Sequence, residues 1–249
     1  MSAQERVELV ELTGRTDRFW APCRLRRSTK ARRVSARVLA GGEIELVLPL
    51  RHSEKDGLSF LQKQGEWLEK QLARSVAPVA FLDHLRNKPF LTIDGKKRDT
   101  LMKFAHPGTS SPSWRRSEDG GIILSLDPTS DLEKQAVFLA KEMAKSYLPV
   151  RVACLGERFG LIPKRVRVGD QRSRWGSCSS AGVLSLNWRL LLLQPSMQDY
   201  VLRHELAHLE IMNHSPNYWK FLTTIDPKAI EHDQMLSKLS SPLLQVGRH

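Results

Sequence analysis

Apolar residues alternate with polar ones at Val34, Ala36 and Val38 and again at Ile44, Leu46 and Leu48, and the intervening Gly41-Gly42 pair predicts a β-hairpin. The period then lengthens. Leu58, Leu61, Leu68 and Leu72 keep helical spacing behind a Ser53-x-x-Asp56 capping box, with Gly65 weakening the helix. Short apolar runs at residues 90–93, 101–104 and 122–126 predict irregular strands, separated by Asp94-Gly95, by residues 107–112 and by Asp119-Gly120-Gly121. Ser130-Asp131-Leu132-Glu133 then caps a helix running towards Tyr147, and Pro149 marks a boundary or kink. This order predicts a β-rich basic region with one helix over residues 1–130 and a second domain over 131–249, with one fused unit as the alternative.

The second half mixes both periods, which predicts an α+β fold. Val166, Val168, Val183, Leu184 and Leu186 alternate as strand positions, with Ser179-Ser180-Ala181-Gly182 as a turn. Pro195 and the Ser196-x-x-Asp199 box precede Tyr200, Val201, Leu202, Leu206 and Leu209, the apolar positions of a helix. Asn213 is suited to a left-handed stop, and Ser215-Pro216 reads as the N-cap and first position of a further helix carrying Tyr218, Trp219, Phe221 and Leu222. Asp226-Pro227 begins another, with Ile230, Met235 and Leu239. The aromatic cluster reads as core packing, and His232, between Glu231 and Asp233, reads as solvated.

One helix carries His204-Glu205-Leu206-Ala207-His208. Residues four apart stand about one turn above one another, so both imidazoles can face one ion, with Glu205 beside them as a general base. His214 completes a three-imidazole set only if the chain turns first, because a continuing helix would rotate it roughly 240° from His208. Metzincins make this turn with a glycine where Ile211 stands here, so this is not a metzincin sequence. An H-E-x-x-H string also arises by chance on amphipathic helices; His214 and the helix boundaries weigh against that reading.

A net charge of +12 over 249 residues predicts attraction to nucleic acid, nucleotides, anionic surfaces or acidic proteins without choosing among them. Basic residues from Arg15 to Arg37 and Lys164, Arg165, Arg167, Arg172 and Arg174 form either one anion-binding surface or scattered solubilising charge. Phe19 and Trp20 are the main aromatics among them, weak support for a base-stacking platform. No apolar run approaches the about 18–20 residues of a membrane span, and the polar stretch of residues 1–6 lacks a signal core. Cys23, Cys154 and Cys178, an odd set with no C-x-x-C, suit a reducing cytoplasm, and Cys178 reads as packing its turn.

Upstream of the histidines, Arg172-Ser173-Arg174-Trp175-Gly176-Ser177-Cys178-Ser179 leads into Leu186-Asn187-Trp188-Arg189-Leu190, a hairpin whose strand can bind an extended peptide by edge pairing. A Trp-Gly-Ser-Cys-Ser hairpin, a Leu-Asn-x-Arg-Leu strand, His-Glu-Leu-Ala-His and Asn-His-Ser together resemble the YgjP-like metallopeptidase family, most clearly over residues 151–225. The resemblance implies a small gluzincin-like zincin domain, helices packed on a small mixed sheet, related in arrangement to SprT-like and WLM metalloproteases. It also implies Zn2+ on His204, His208 and His214, with Glu205 as general base, roles the spacing reaches independently.

The leading expectation is zinc-dependent hydrolysis of a protein or peptide by Glu205-activated water. Arg172, Arg174, Trp175 and Tyr218 are candidate substrate-binding residues, and Tyr200, Tyr218, Arg172 and Arg174 are candidates for stabilising the oxyanion. Two alternatives stand beside it. Some YgjP-like proteins are described as UTP pyrophosphatases, although phosphoanhydride hydrolysis usually uses magnesium held by oxygen ligands. The other is a nucleic-acid-associated zinc module without hydrolase activity, which three protein ligands and an open coordination position disfavour.

Overall fold

The computed structural model describes residues 6–13, 18–39, 41–73, 75, 77–107, 111–172 and 174–248. Arg15, Ser110, Ser173 and most of the polar N-terminal stretch lie outside the described residues. The chain divides into two units, Met1–Pro78 and Val79–His249.

In the first unit, strands β1 (Arg6–Thr13), β2 (Arg18–Ser28), β3 (Ser35–Val38) and β4 (Ile44–Pro49) form a sheet in the order β1-β2-β4-β3. β2 and β4 are parallel; the outer pairs are antiparallel. The Gly41-Gly42 hairpin forms as expected, with φ of 87° and 79° at the two glycines. The basic stretch after residue 17 is itself a strand. Ala21, Cys23 and Leu25 face the core, while Arg24 and Arg26 alternate with them and pair with Glu43 and Glu45. Helices α1 (Glu54–Lys63) and α2 (Gly65–Ala73) bury Leu61 and Leu68 against this sheet. The Ser53–Asp56 capping box is present. The single helix expected here is broken at Gly65, where a β-carbon would lie 1.9 Å from the Thr13 carbonyl oxygen.

The second unit begins with a helix that the apolar pattern did not reveal, α3 (Phe81–Asn87). Strands β5 (Phe90–Ile93), β6 (Lys96–Phe104), β7 (Ser113–Arg116) and β8 (Ile122–Leu126) follow, in the sheet order β5-β6-β8-β7. These strands share one hydrophobic core with the C-terminal helices, so the division falls at 78/79 and not near residue 130. The turn-rich residues there only cap α4 (Leu132–Phe159). Asp131, not Ser130, accepts from the Lys134 N–H, and Glu133 reaches away to accept from the Phe81 and Leu82 amides. Nor is Pro149 a boundary. α4 runs through it, with Leu148, Val152 and Leu155 buried on both sides of the missing donor.

After α4 come β9 (Arg165–Gly169), β10 (Gly176–Cys178) and β11 (Val183–Asn187), in the order β10-β11-β9. β10 and β11 are the expected hairpin, and β9 pairs parallel to β11. The Leu-Asn-x-Arg-Leu segment is strand only as far as Asn187, whose side chain caps a 3-10 helix, Trp188–Leu192. Helices α5 (Pro195–Ala207), α6 (Pro216–Ile225) and α7 (Ala229–Leu243) complete the α+β fold. α7 starts two residues beyond Pro227. Among the described residues, no helix is long and apolar enough to cross a membrane.

Candidate metal centre

α5 starts earlier than its expected capping box. Gln194 is the N-cap and Pro195 the first helical residue, leaving Asp199 to pair with Arg151. Tyr200, Val201, Leu202 and Leu206 are buried, which fixes the helix so that His204 and His208 rise one turn apart. The helix stops at once. His208 is its C-cap, and the amides of Leu209, Glu210 and Ile211 return to the carbonyls of Leu206 and Ala207. The reversal is therefore made by residues 208–211 in right-handed turns, and Asn213 does not take the left-handed conformation expected of it. Asn213 instead accepts from the Ser215 amide, and Ser215 caps α6 with Pro216 at its start.

This corner brings the three imidazoles together. The candidate ligand atoms of His204, His208 and His214 all lie within 4.8 Å of one another. His204 Nε2 and His214 Nε2 stand 3.1 Å apart, close to the about 3.3 Å between two nitrogens on a tetrahedral zinc with Zn–N of about 2.0–2.1 Å. His208 Nδ1 is 3.0 Å from the Ile211 carbonyl, which fixes the ring and leaves Nε2 for an ion. Burial, together with the neighbouring imidazoles, pushes His204 down to about 3, and burial lowers His208 as well. Both are thereby held in the neutral form that ligates metal. The donor set fits a zinc-type ion.

Glu205 is buried on the adjoining face of α5, and burial raises its carboxyl to about 7, with Arg174 pulling the other way. Its room is made by β10. A β-carbon on Gly176 would lie 2.6 Å from Glu205 Oε1 and 2.7 Å from its Cγ. The loop entering β10 is held by Asn187, whose amide donates to the Gln171 carbonyl at 2.8 Å and the Arg174 carbonyl at 3.0 Å. Below it, fully buried Arg189 donates to Asp170 and, at 2.6 Å, to the Val246 carbonyl. The sequence alone assigns no site role to Gly176, Asn187 or Arg189, although all three lie within the Trp-Gly-Ser-Cys hairpin and the Leu-Asn-x-Arg-Leu segment.

The expected substrate residues separate into two groups. Arg172 and Arg174 are exposed, whereas Trp175 is buried with its indole N–H donated to Ser240 at 2.7 Å. Tyr218 is fully buried and donates its hydroxyl to the His204 carbonyl at 3.1 Å; Tyr200 donates to Asp233 at 2.9 Å. His232 is not solvated as expected. Its Nδ1 lies 3.0 Å from buried Asp226, which also receives Arg203. Cys178 is partly buried and packs against the core, as expected for its turn.

Three convergent imidazoles, two from the end of a helix and one from the turn beyond it, beside a buried carboxylate, define the class of metal-dependent hydrolases. Within that class, the sequence profile described as YgjP-like, metallopeptidase domain matches residues 32–239, and the chain belongs to this family. No curated protein matches it. Among solved structures, it is similar to the metallopeptidase zymogen abylysin of Pyrococcus abyssi, with 26% identity, 36% of this chain and 93% of that chain covered, and a TM-score of 0.33.

Proposed function

We propose that this protein hydrolyses peptide bonds with zinc held by His204, His208 and His214 and with Glu205 as the general base. The observation that carries the reading is the clustering of three imidazole ligand atoms within 4.8 Å beside a buried Glu205. Bound zinc supplies Lewis-acid chemistry, lowering the pKa of water towards about 7 and polarising a scissile carbonyl. Glu205, buried beside the imidazoles, takes a proton onto its carboxylate and passes it to the leaving amine. β10 stands at the edge of its sheet, and an extended peptide adds along that edge with its backbone running past Glu205. Exposed Arg172 and Arg174, on the loop leading into β10, are the candidate contacts for that substrate. Cys23, Cys154 and Cys178 are free thiols, which supports a cytoplasmic location.

The test is metal content followed by activity. Purified protein should carry one zinc per chain and His208→Ala should lose it, while Glu205→Gln should keep zinc and lose cleavage of an unfolded protein substrate. Hydrolysis of UTP in place of protein by the same zinc-loaded enzyme overturns the peptidase reading.

A further inference from the structure

Tyr218 touches all three candidate ligands. Its ring stacks on His208 with centroids 4.6 Å apart and planes 20° from parallel. It meets His214 edge-on at 4.9 Å and His204 edge-on at 5.4 Å. Its hydroxyl donates to the carbonyl of His204 at 3.1 Å. That carbonyl belongs to the last four residues of α5, where helix-internal donors run out, so the phenol answers an acceptor that the helix leaves open. The residue is fully buried, and its hydroxyl is already engaged. It therefore presents no group to a substrate.

The placement follows from the local fold. Ser215 caps α6 by accepting the Tyr218 amide at 3.4 Å, which sets the first turn of the helix. Leu222 and Ile225 follow at helical spacing and are buried with Tyr218, so one face of α6 is held inward. A flat ring is thus fixed from one side by α6 and from the other by the His204 carbonyl. His208, held at Nδ1 by Ile211, lies flat against that ring.

We infer that Tyr218 is a positioning residue, a post that sets the orientations of His204, His208 and His214 for metal binding. The inference rests on the zinc reading above and goes beyond it by locating the shell that makes the site rigid. Partners that orient metal ligands typically change metal affinity by about 10–100-fold when removed.

The test uses the full chain with Tyr218→Phe, which keeps the ring and removes the hydroxyl, and Tyr218→Leu, which removes both. Zinc dissociation constants are measured by chelator competition, and the visible spectrum of the cobalt-substituted protein reports ligand geometry. The expected result is affinity weakened about 10-fold by Tyr218→Phe and about 100-fold by Tyr218→Leu, with altered cobalt bands in both. Tyr218→Phe stands as the decisive variant should Tyr218→Leu not fold. Zinc affinity and cobalt bands unchanged within about twofold in folded Tyr218→Phe overturn the inference. So does a Tyr218→Phe protein that holds zinc normally but loses hydrolysis, since the hydroxyl would then serve substrate. Wild-type protein that takes up no zinc sinks the zinc reading and this inference together; normal zinc in all three proteins sinks this inference alone.

Discussion

Gly176 lies directly against the carboxylate of Glu205, so close that a β-carbon at position 176 would stand 2.6 Å from Oε1. The contact joins the two motifs of the sequence, the Trp-Gly-Ser-Cys hairpin and the H-E-x-x-H helix, at one point. It also explains how a carboxylate can be buried beside the imidazoles without being displaced by a neighbouring strand.

Gly176→Ala should therefore move Glu205 and leave the imidazole cluster intact. We expect zinc content at the wild-type level and peptide hydrolysis reduced at least about tenfold, with about 1–3 kcal/mol of stability lost to overpacking. Titrating zinc and measuring kcat/KM on the same preparation checks this; undiminished hydrolysis would show that Glu205 has slack at this contact.

Asp170, at the base of the loop entering β10, should contribute to acid stability. Burial raises its carboxyl, but Arg189 and Lys141 outweigh burial and hold it at about 2. A carboxyl depressed on folding adds stability above its unfolded pKa of about 3.9, and that contribution is lost as pH falls through about 2. Asp170→Asn should flatten the pH dependence of unfolding between about pH 4 and pH 2. At pH 7 it should cost about 1–3 kcal/mol, with Arg189 left short of a partner and the open side of Asp170 screened by water. Urea unfolding across that range decides it.

Asn187 should behave as a clamp. Its amide holds the carbonyls of Gln171 and Arg174, and its oxygen accepts from the Arg189 amide at 3.1 Å. Asn187→Ala leaves those groups unanswered and should destabilise the protein by about 2–3 kcal/mol. Amide exchange in β10 and β11 should accelerate; exchange at the wild-type rate would refute the clamp.

In the first unit, Gly65→Ala places a methyl on the Thr13 carbonyl, 1.9 Å away before any adjustment. Backbone cannot yield as a side chain does, so β1 and α2 must separate. Faster hydrogen exchange at the β1 and α2 amides is the expected outcome, with about 2 kcal/mol or more lost.

Much of this protein is legible along the chain. Helical spacing alone brings His204 and His208 to one face, Ser215-Pro216 marks the restart that follows the corner, and glycine pairs mark the hairpin turn, because these features depend on neighbours within a few residues. Arginines on its outer face mask the apolar alternation of β2, and α4 continues through Pro149 because buried residues on either side hold it. The turn-like residues near 130 read as a border, yet the strands before them and the helices after them fill one core. Most of all, the meeting of Gly176 with Glu205, and of Tyr218 with three imidazoles, joins separate elements of the chain. Local periodicity carries no record of such contacts; they arise when separate faces compete for the same buried space.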